Sequence, residues 1–161
     1  MTRKIQFLIL ILTILLNSTS CQKSLPKSMP NLPIGIDETA LNTNLIITAS
    51  KAVNSFKFDD FLSLSIDNLS DNTWSLSIEE DILIFQYKNN EWIKVQDKSI
   101  HLGEAEITLG KAGNFPTDRT IISMSPAINS DFPVALRIFV FAHEEFGENI
   151  TGAFVDVYLK P

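Results

Sequence analysis

"FLSLSID", residues 61–67, sets Leu62, Leu64 and Ile66 at alternate positions with Ser63, Ser65 and Asp67 between them. Successive side chains of a strand point to opposite faces, so this spacing fits a strand with one face in a core and one in water. A helix would scatter the same three apolar residues around its circumference. The pattern returns along the chain: Trp74, Leu76 and Ile78 in "WSLSI"; Ala105, Ile107 and Leu109 in "AEITL"; Ile122 and Met124 in "TIISM". It closes with Val134, Leu136, Ile138 and Val140 in "VALRIFVFA" and Val155, Val157 and Leu159 in "FVDVYL". "ILIFQYKNNEWIKV" adds two apolar runs around Lys88, Asn89 and Asn90, and Asn tolerates the positive φ of a tight hairpin turn. About eight or nine short strands are expected from residue 43 onward, with turn residues between them. Parallel pairing needs helical crossovers of a dozen residues or more, and no amphipathic run of that length is present. The expectation is an all-β fold of two antiparallel sheets packed face to face.

The N-terminus has a different character. Arg3 and Lys4 precede "FLILILTILL", residues 7–16, and then a group of small residues. Ten apolar residues are too few to span the roughly 30 Å of bilayer hydrocarbon. A charged start, a short apolar core and small residues are the features of a secretory signal. Cys21, the single cysteine, follows directly. Ser18 and Ser20 suit an ordinary signal peptidase. The stretch also resembles a bacterial lipobox, whose cysteine becomes lipid-modified, with Ser18 standing where that pattern prefers Leu. An unpaired exported thiol has no partner, and a thioether to diacylglycerol would account for it. Cys21 is thus the expected lipidation site, and the resemblance implies export and membrane anchoring on the outer face of a bacterial cell envelope.

From Gln22 to Asn42 the chain holds Pro26, Pro30 and Pro33 among Ser, Lys and Gly, without an apolar period. Proline fixes φ and lacks an N–H, so an extended, flexible linker is expected, able to hold a domain roughly 60 Å from the lipid at most. Packing of Ile34 to Leu41 on the domain edge is the alternative. The expected organisation is a signal peptide at 1–20, a lipidated cysteine and Pro/Ser-rich tether at 21–43, and one β-sandwich at 44–161.

"LSIDNLSDNTWSLS", "YKNNEWIKV", "LRIFVFA" and "TGAFVDVYLKP" together resemble the immunoglobulin-like domains of exported bacterial lipoproteins. In these a strand ends in Asn before a Ser/Asp turn, a hairpin carries a Trp, and a late strand carries Arg-Ile. The resemblance implies an immunoglobulin-like sandwich held by packing alone, since one cysteine cannot form an inter-sheet disulfide, with Trp74 as its large core aromatic.

The chain carries a formal charge of −6, and without Arg3 and Lys4 it has 11 basic against 19 acidic residues, a balance of −8. Such a surface repels phosphate backbones, so nucleic acid is not an expected partner. Nucleophilic catalysis needs a base beside a nucleophile. His101 and His143 are the two histidines, and no G-x-S-x-G elbow accompanies them, so no catalytic residue and no enzymatic activity are expected. "DNLSDN" (Asp67 to Asn72) and "HEEFGEN" (His143 to Asn149) would share one end of an immunoglobulin-like sandwich. Their oxygen ligands suit calcium, while the ordinary reading of such residues is solvated turns. No other cofactor and no other metal is expected.

If Val134, Leu136, Ile138 and Val140 point inward, Arg137, Phe139 and Phe141 point outward. On the final strand Phe154, Asp156 and Tyr158 oppose the inward residues. Outward residues pair with outward residues, so partner numbers sum to an odd value, with 295 and 293 both open. Either register gathers aromatics beside an Arg–Asp or Arg–Tyr contact. These six residues are the candidate interaction face, for a protein or glycan partner, unless Ile34 to Leu41 or a neighbouring loop covers them. The expected function is a non-catalytic, lipid-anchored binding module. A ligand-free stalk domain and a small envelope enzyme are the alternatives.

Overall fold

The computed structural model describes residues 25–33, 36–49, 62–95, 98–100, 106–126 and 134–159. Cys21, the signal-like segment, Ile34, His101 and Ala105 lie outside the described residues. A 3-10 turn at Glu38–Ala40 precedes ten strands and one short helix. These are β1 (Leu45–Ala49), β2 (Leu62–Asn68), β3 (Trp74–Ser77), α1 (Ile78–Asp81), β4 (Ile82–Lys88) and β5 (Glu91–Lys94). There follow β6 (Lys98–Ile100), β7 (Glu106–Leu109), β8 (Arg119–Pro126), β9 (Val134–Glu144) and β10 (Ile150–Leu159).

Two antiparallel sheets pack against each other. One has the order β1-β2-β8-β6; the other has the order β5-β4-β9-β3-β7, with β10 also on β9. β9 is the axis of the second sheet. β4 pairs with residues 135–140 of one edge and β3 with His143 and Glu144 farther along it, while β10 follows the opposite edge. Taking β3 and β4 together as strand C, the strands follow the A-B-E-D and C-F-G order of an immunoglobulin-type sandwich, with β5 and β7 as additional edge strands.

The alternating positions fill the space between the sheets. Leu62, Leu64 and Ile66 meet Ile122 and Met124 from β8, and face Trp74, Leu76, Leu136, Ile138 and Val140. Trp74 is 1% exposed and is the largest fully buried side chain, as expected of the core aromatic. The Asn89–Asn90 turn also follows the expectation. Both residues have positive φ (54° and 67°), and Lys88 pairs directly with Glu91.

Three local expectations change. β3 ends at Ser77, and Ile78 opens a helical turn instead of continuing the strand. The Asp81 carboxylate accepts the Ser77 N–H at 2.7 Å, which closes the turn while Ile78 stays buried. β1 and β6 are strands beyond those read from alternation. "LIITA" has an uninterrupted Leu-Ile-Ile start, and β6 has only three residues. Most importantly, the expected free tether is packed. Residues 25–33 and 36–41 lie along the outer face of β4, β9 and β10, where Met29, Leu32, Ile36 and Leu41 contact a second cluster of Leu83, Phe85, Phe139 and Phe141. β4 is therefore buried on both sides, which accounts for the unbroken run "ILIF" at its start.

Candidate functional site

The face expected to meet a partner is assembled in the 293 register: Phe154 stands opposite Phe139, and Asp156 opposite Arg137. Its exposure differs from the expectation. Phe139 is fully buried, Phe141 is 3% exposed and Arg137 is 4% exposed. Phe154 and Tyr158 are half-buried, and Asp156 is exposed. The strap formed by residues 25–33 and 36–41 packs over this face. Burying four rings and their aliphatic neighbours removes apolar area from water, and it favours docking of a segment whose prolines already hold it extended.

Arg137 fastens this strap. Its Nε and Nη2 donate to the two Asp156 carboxylate oxygens at 2.7 and 2.9 Å. Nη1 donates to the Ser28 carbonyl at 3.0 Å and Met29 Sδ at 3.3 Å, and Nη2 donates also to the Pro26 carbonyl at 3.3 Å. The guanidinium thus has acceptors in every direction its fork points. It lies 4.8 Å from the Trp92 ring centre and 4.9 Å from that of Phe154, within cation–π range of both. Trp92 Nε1 donates to the same Ser28 carbonyl at 2.8 Å. Around Phe139, rings pack edge-on with Phe85 (5.8 Å), stacked with Phe141 (5.9 Å) and tilted with Phe154 (5.4 Å).

The strap's far end is fixed on β10. Asn42, at φ 60°, donates its N–H to the Gly152 carbonyl and accepts the Phe154 N–H on its side-chain oxygen, both at 2.9 Å. Gly152 is required there. A Cβ would sit 2.7 Å from the Phe141 ring and 3.1 Å from Leu41. Just before it, Asp37 caps the 3-10 turn. The Thr39 hydroxyl and then its amide donate to Asp37 and hold that carboxyl below its ordinary pKa.

The other expected site is the loop end. The β2–β3 and β9–β10 loops do share it, since Glu145 N–H donates to the Thr73 carbonyl at 3.1 Å. Asn68, 3% exposed, organises it. Its amide donates to the carbonyls of Asn72 and Gly110, each at 2.7 Å, and its oxygen accepts from the Ser70 N–H (2.9 Å) and hydroxyl (2.8 Å). Ser70 Oγ in turn accepts Trp74 Nε1 at 2.8 Å. One buried amide therefore joins the β2–β3 loop, the 110–118 loop and the core tryptophan. The Asn that ends a strand before a Ser/Asp turn is the keystone of these loops.

Two of the carboxylates read as calcium ligands have other partners. Asp67 pairs with Arg119, and Glu144 accepts from the Asn149 amide. Among the described residues, no group of three or more His, Cys, Asp or Glu side chains converges as a metal site. His143 Nε2 lies 3.2 Å from Asp81 Oδ1, and Ser75 is its cross-strand partner on β3. An open groove of about 340 Å³ lies beside this end, lined by Ile46, Leu69, Asp118 and Arg119 among others.

Sequence reasoning passed over two groups of residues. The strap contacts Pro26, Ser28, Met29 and Leu32 act through carbonyls and irregularly spaced apolar groups that leave no periodic signal. Leu69, Phe115 and Phe146 stand exposed on loops, and "EEFGE" and "GNFPT" did carry a signal: a large apolar residue among turn formers. No protein-family model matches this chain, and no curated protein matches it.

Proposed function

We propose that this chain is a non-catalytic interaction module held on the outer face of a bacterial cell envelope by lipid on Cys21. The observation that carries the reading is the single cysteine placed directly after a charged start, a short apolar run and small residues. The strap adds a spatial constraint. Its first contact with Arg137 is the Pro26 carbonyl, five peptide steps beyond Cys21. At no more than ~3.6 Å per step, the Pro26 end of an anchored domain would lie within about 18 Å of the lipid attachment point instead of swinging on a long tether. Packing of the aromatic face under the chain's own strap favours a second reading, a stalk without a ligand, while the exposed loop end favours the first. In the native host, Cys21→Ala should move the protein from the membrane to the soluble fraction. Unchanged fractionation would overturn the anchor.

A further inference from the structure

We infer that the loop end of the sandwich docks on a partner protein through Phe146, Phe115 and Leu69 set in an acidic rim. The inference deepens the interaction-module reading and rests on it. Phe146 is 92% exposed, Phe115 78% and Leu69 51%. None of the three belongs to either core cluster, so folding does not account for them. They stand on three loops that hydrogen bonds hold side by side. Ala112 N–H donates to the Ser70 carbonyl at 2.8 Å, and Glu145 N–H to that of Thr73 at 3.1 Å. Gly113 N–H donates to Asp118, and Asn68 ties the first two loops from beneath. The apolar tips are thus presented from a braced frame, which lowers the ordering cost of binding. Phe is among the aromatic residues enriched at the buried core of protein interfaces.

Charge selects the class of partner. Asp71, Glu145 and Glu148 are exposed around the tips, with Glu144 half-buried beside them. Among the described residues, the cations at this end are Arg119, already paired with Asp67, and Lys111. Such a rim repels anionic lipid and fits a protein surface whose basic residues surround an apolar pocket. Direction agrees. The strap crosses the sheet from Arg137, where Pro26 and Ser28 lie, toward Phe141, where Leu41 lies, and so runs toward the β9–β10 turn. Glu144 lies seven steps along β9 from Arg137, about 23 Å of strand. The loop end therefore faces away from where the chain arrives from Cys21.

The test is site-specific photo-crosslinking in the host, using the full-length chain with a benzophenone side chain at position 146, 115, 69 or 88. Lys88 is exposed at the β4–β5 turn, at the other end of the sandwich. The expected result is one discrete protein adduct shared by positions 146, 115 and 69. It should be about tenfold weaker at 88, and about tenfold reduced by E145K with E148K, as charge complementarity requires. Both substitutions are at exposed positions and should shift the melting temperature by no more than about 2 °C. Lipid adducts at 146, equal protein adducts at 146 and 88, an adduct insensitive to charge reversal, or no adduct would each overturn the inference. The anchor is scored separately in the same cells by fractionating C21A, so its failure and failure of the docking surface are distinct.

Discussion

Replacing Phe139 by Ala tests whether the strap turns an outer sheet face into a second core. Phe139 is fully buried, with three rings within 6 Å. Truncating a buried Phe to Ala costs about 3–5 kcal/mol, from lost transfer energy and the cavity left behind. With its aromatic neighbours, a loss of roughly 4 kcal/mol is expected, or a fall of roughly 2 M in the urea midpoint. The same change in a chain that starts at Asn42, and so lacks the strap, should cost only about 1–2 kcal/mol, because the ring is then partly in water already. The difference, about 2–3 kcal/mol, is the coupling between Phe139 and the strap. Urea titrations followed by tryptophan fluorescence would measure all four proteins, and Trp92, which touches the strap, reports its docking directly. A cost below about 1 kcal/mol in the longer chain, or equal costs in both, would refute the second core.

Asn68→Ala removes all four side-chain hydrogen bonds of a buried amide and leaves the Gly110 and Asn72 carbonyls without it, for an expected loss of about 2–4 kcal/mol by thermal or urea unfolding. A loss under about 1 kcal/mol would mean that the three loops are held by their backbones alone. Asn90→Gly, at φ 67° in a two-residue hairpin turn, should raise stability by roughly 0.5 kcal/mol, since Asn-Gly is the preferred pair for this turn. Destabilisation in a urea titration would contradict the turn geometry.

Legibility followed the physics of each element. Where one face is buried and the other wet, as in β2 and β8, alternation names the core residues directly. It also carried the pairing of β9 with β10 down to two registers, since a slip of one residue would exchange the two faces. The choice of 293 over 295 needed the β9–β10 turn, where Glu144 N–H meets the Asn149 carbonyl at 2.9 Å and sets the offset. Ile78 was misplaced by one element because burial alone does not separate a strand's end from a helical turn. The loop end was located correctly but read for its carboxylates, when its exposed apolar tips and its buried Asn68 are what distinguish it.

The alternation, the Asn-Asn turn and the single cysteine are local features, and they determined the strands, the two-sheet core and the expected anchor without reference to the rest of the chain. The fate of the aromatic face was decided only in three dimensions. Phe85, Phe139 and Phe154 come from three separate strands, and the surface they make exists only once β4, β9 and β10 are side by side. Met29, Leu32, Ile36 and Leu41 have no period because the strap is neither helix nor strand. Their spacing is matched to that assembled surface and to the Arg137 guanidinium, not to any repeat along their own backbone.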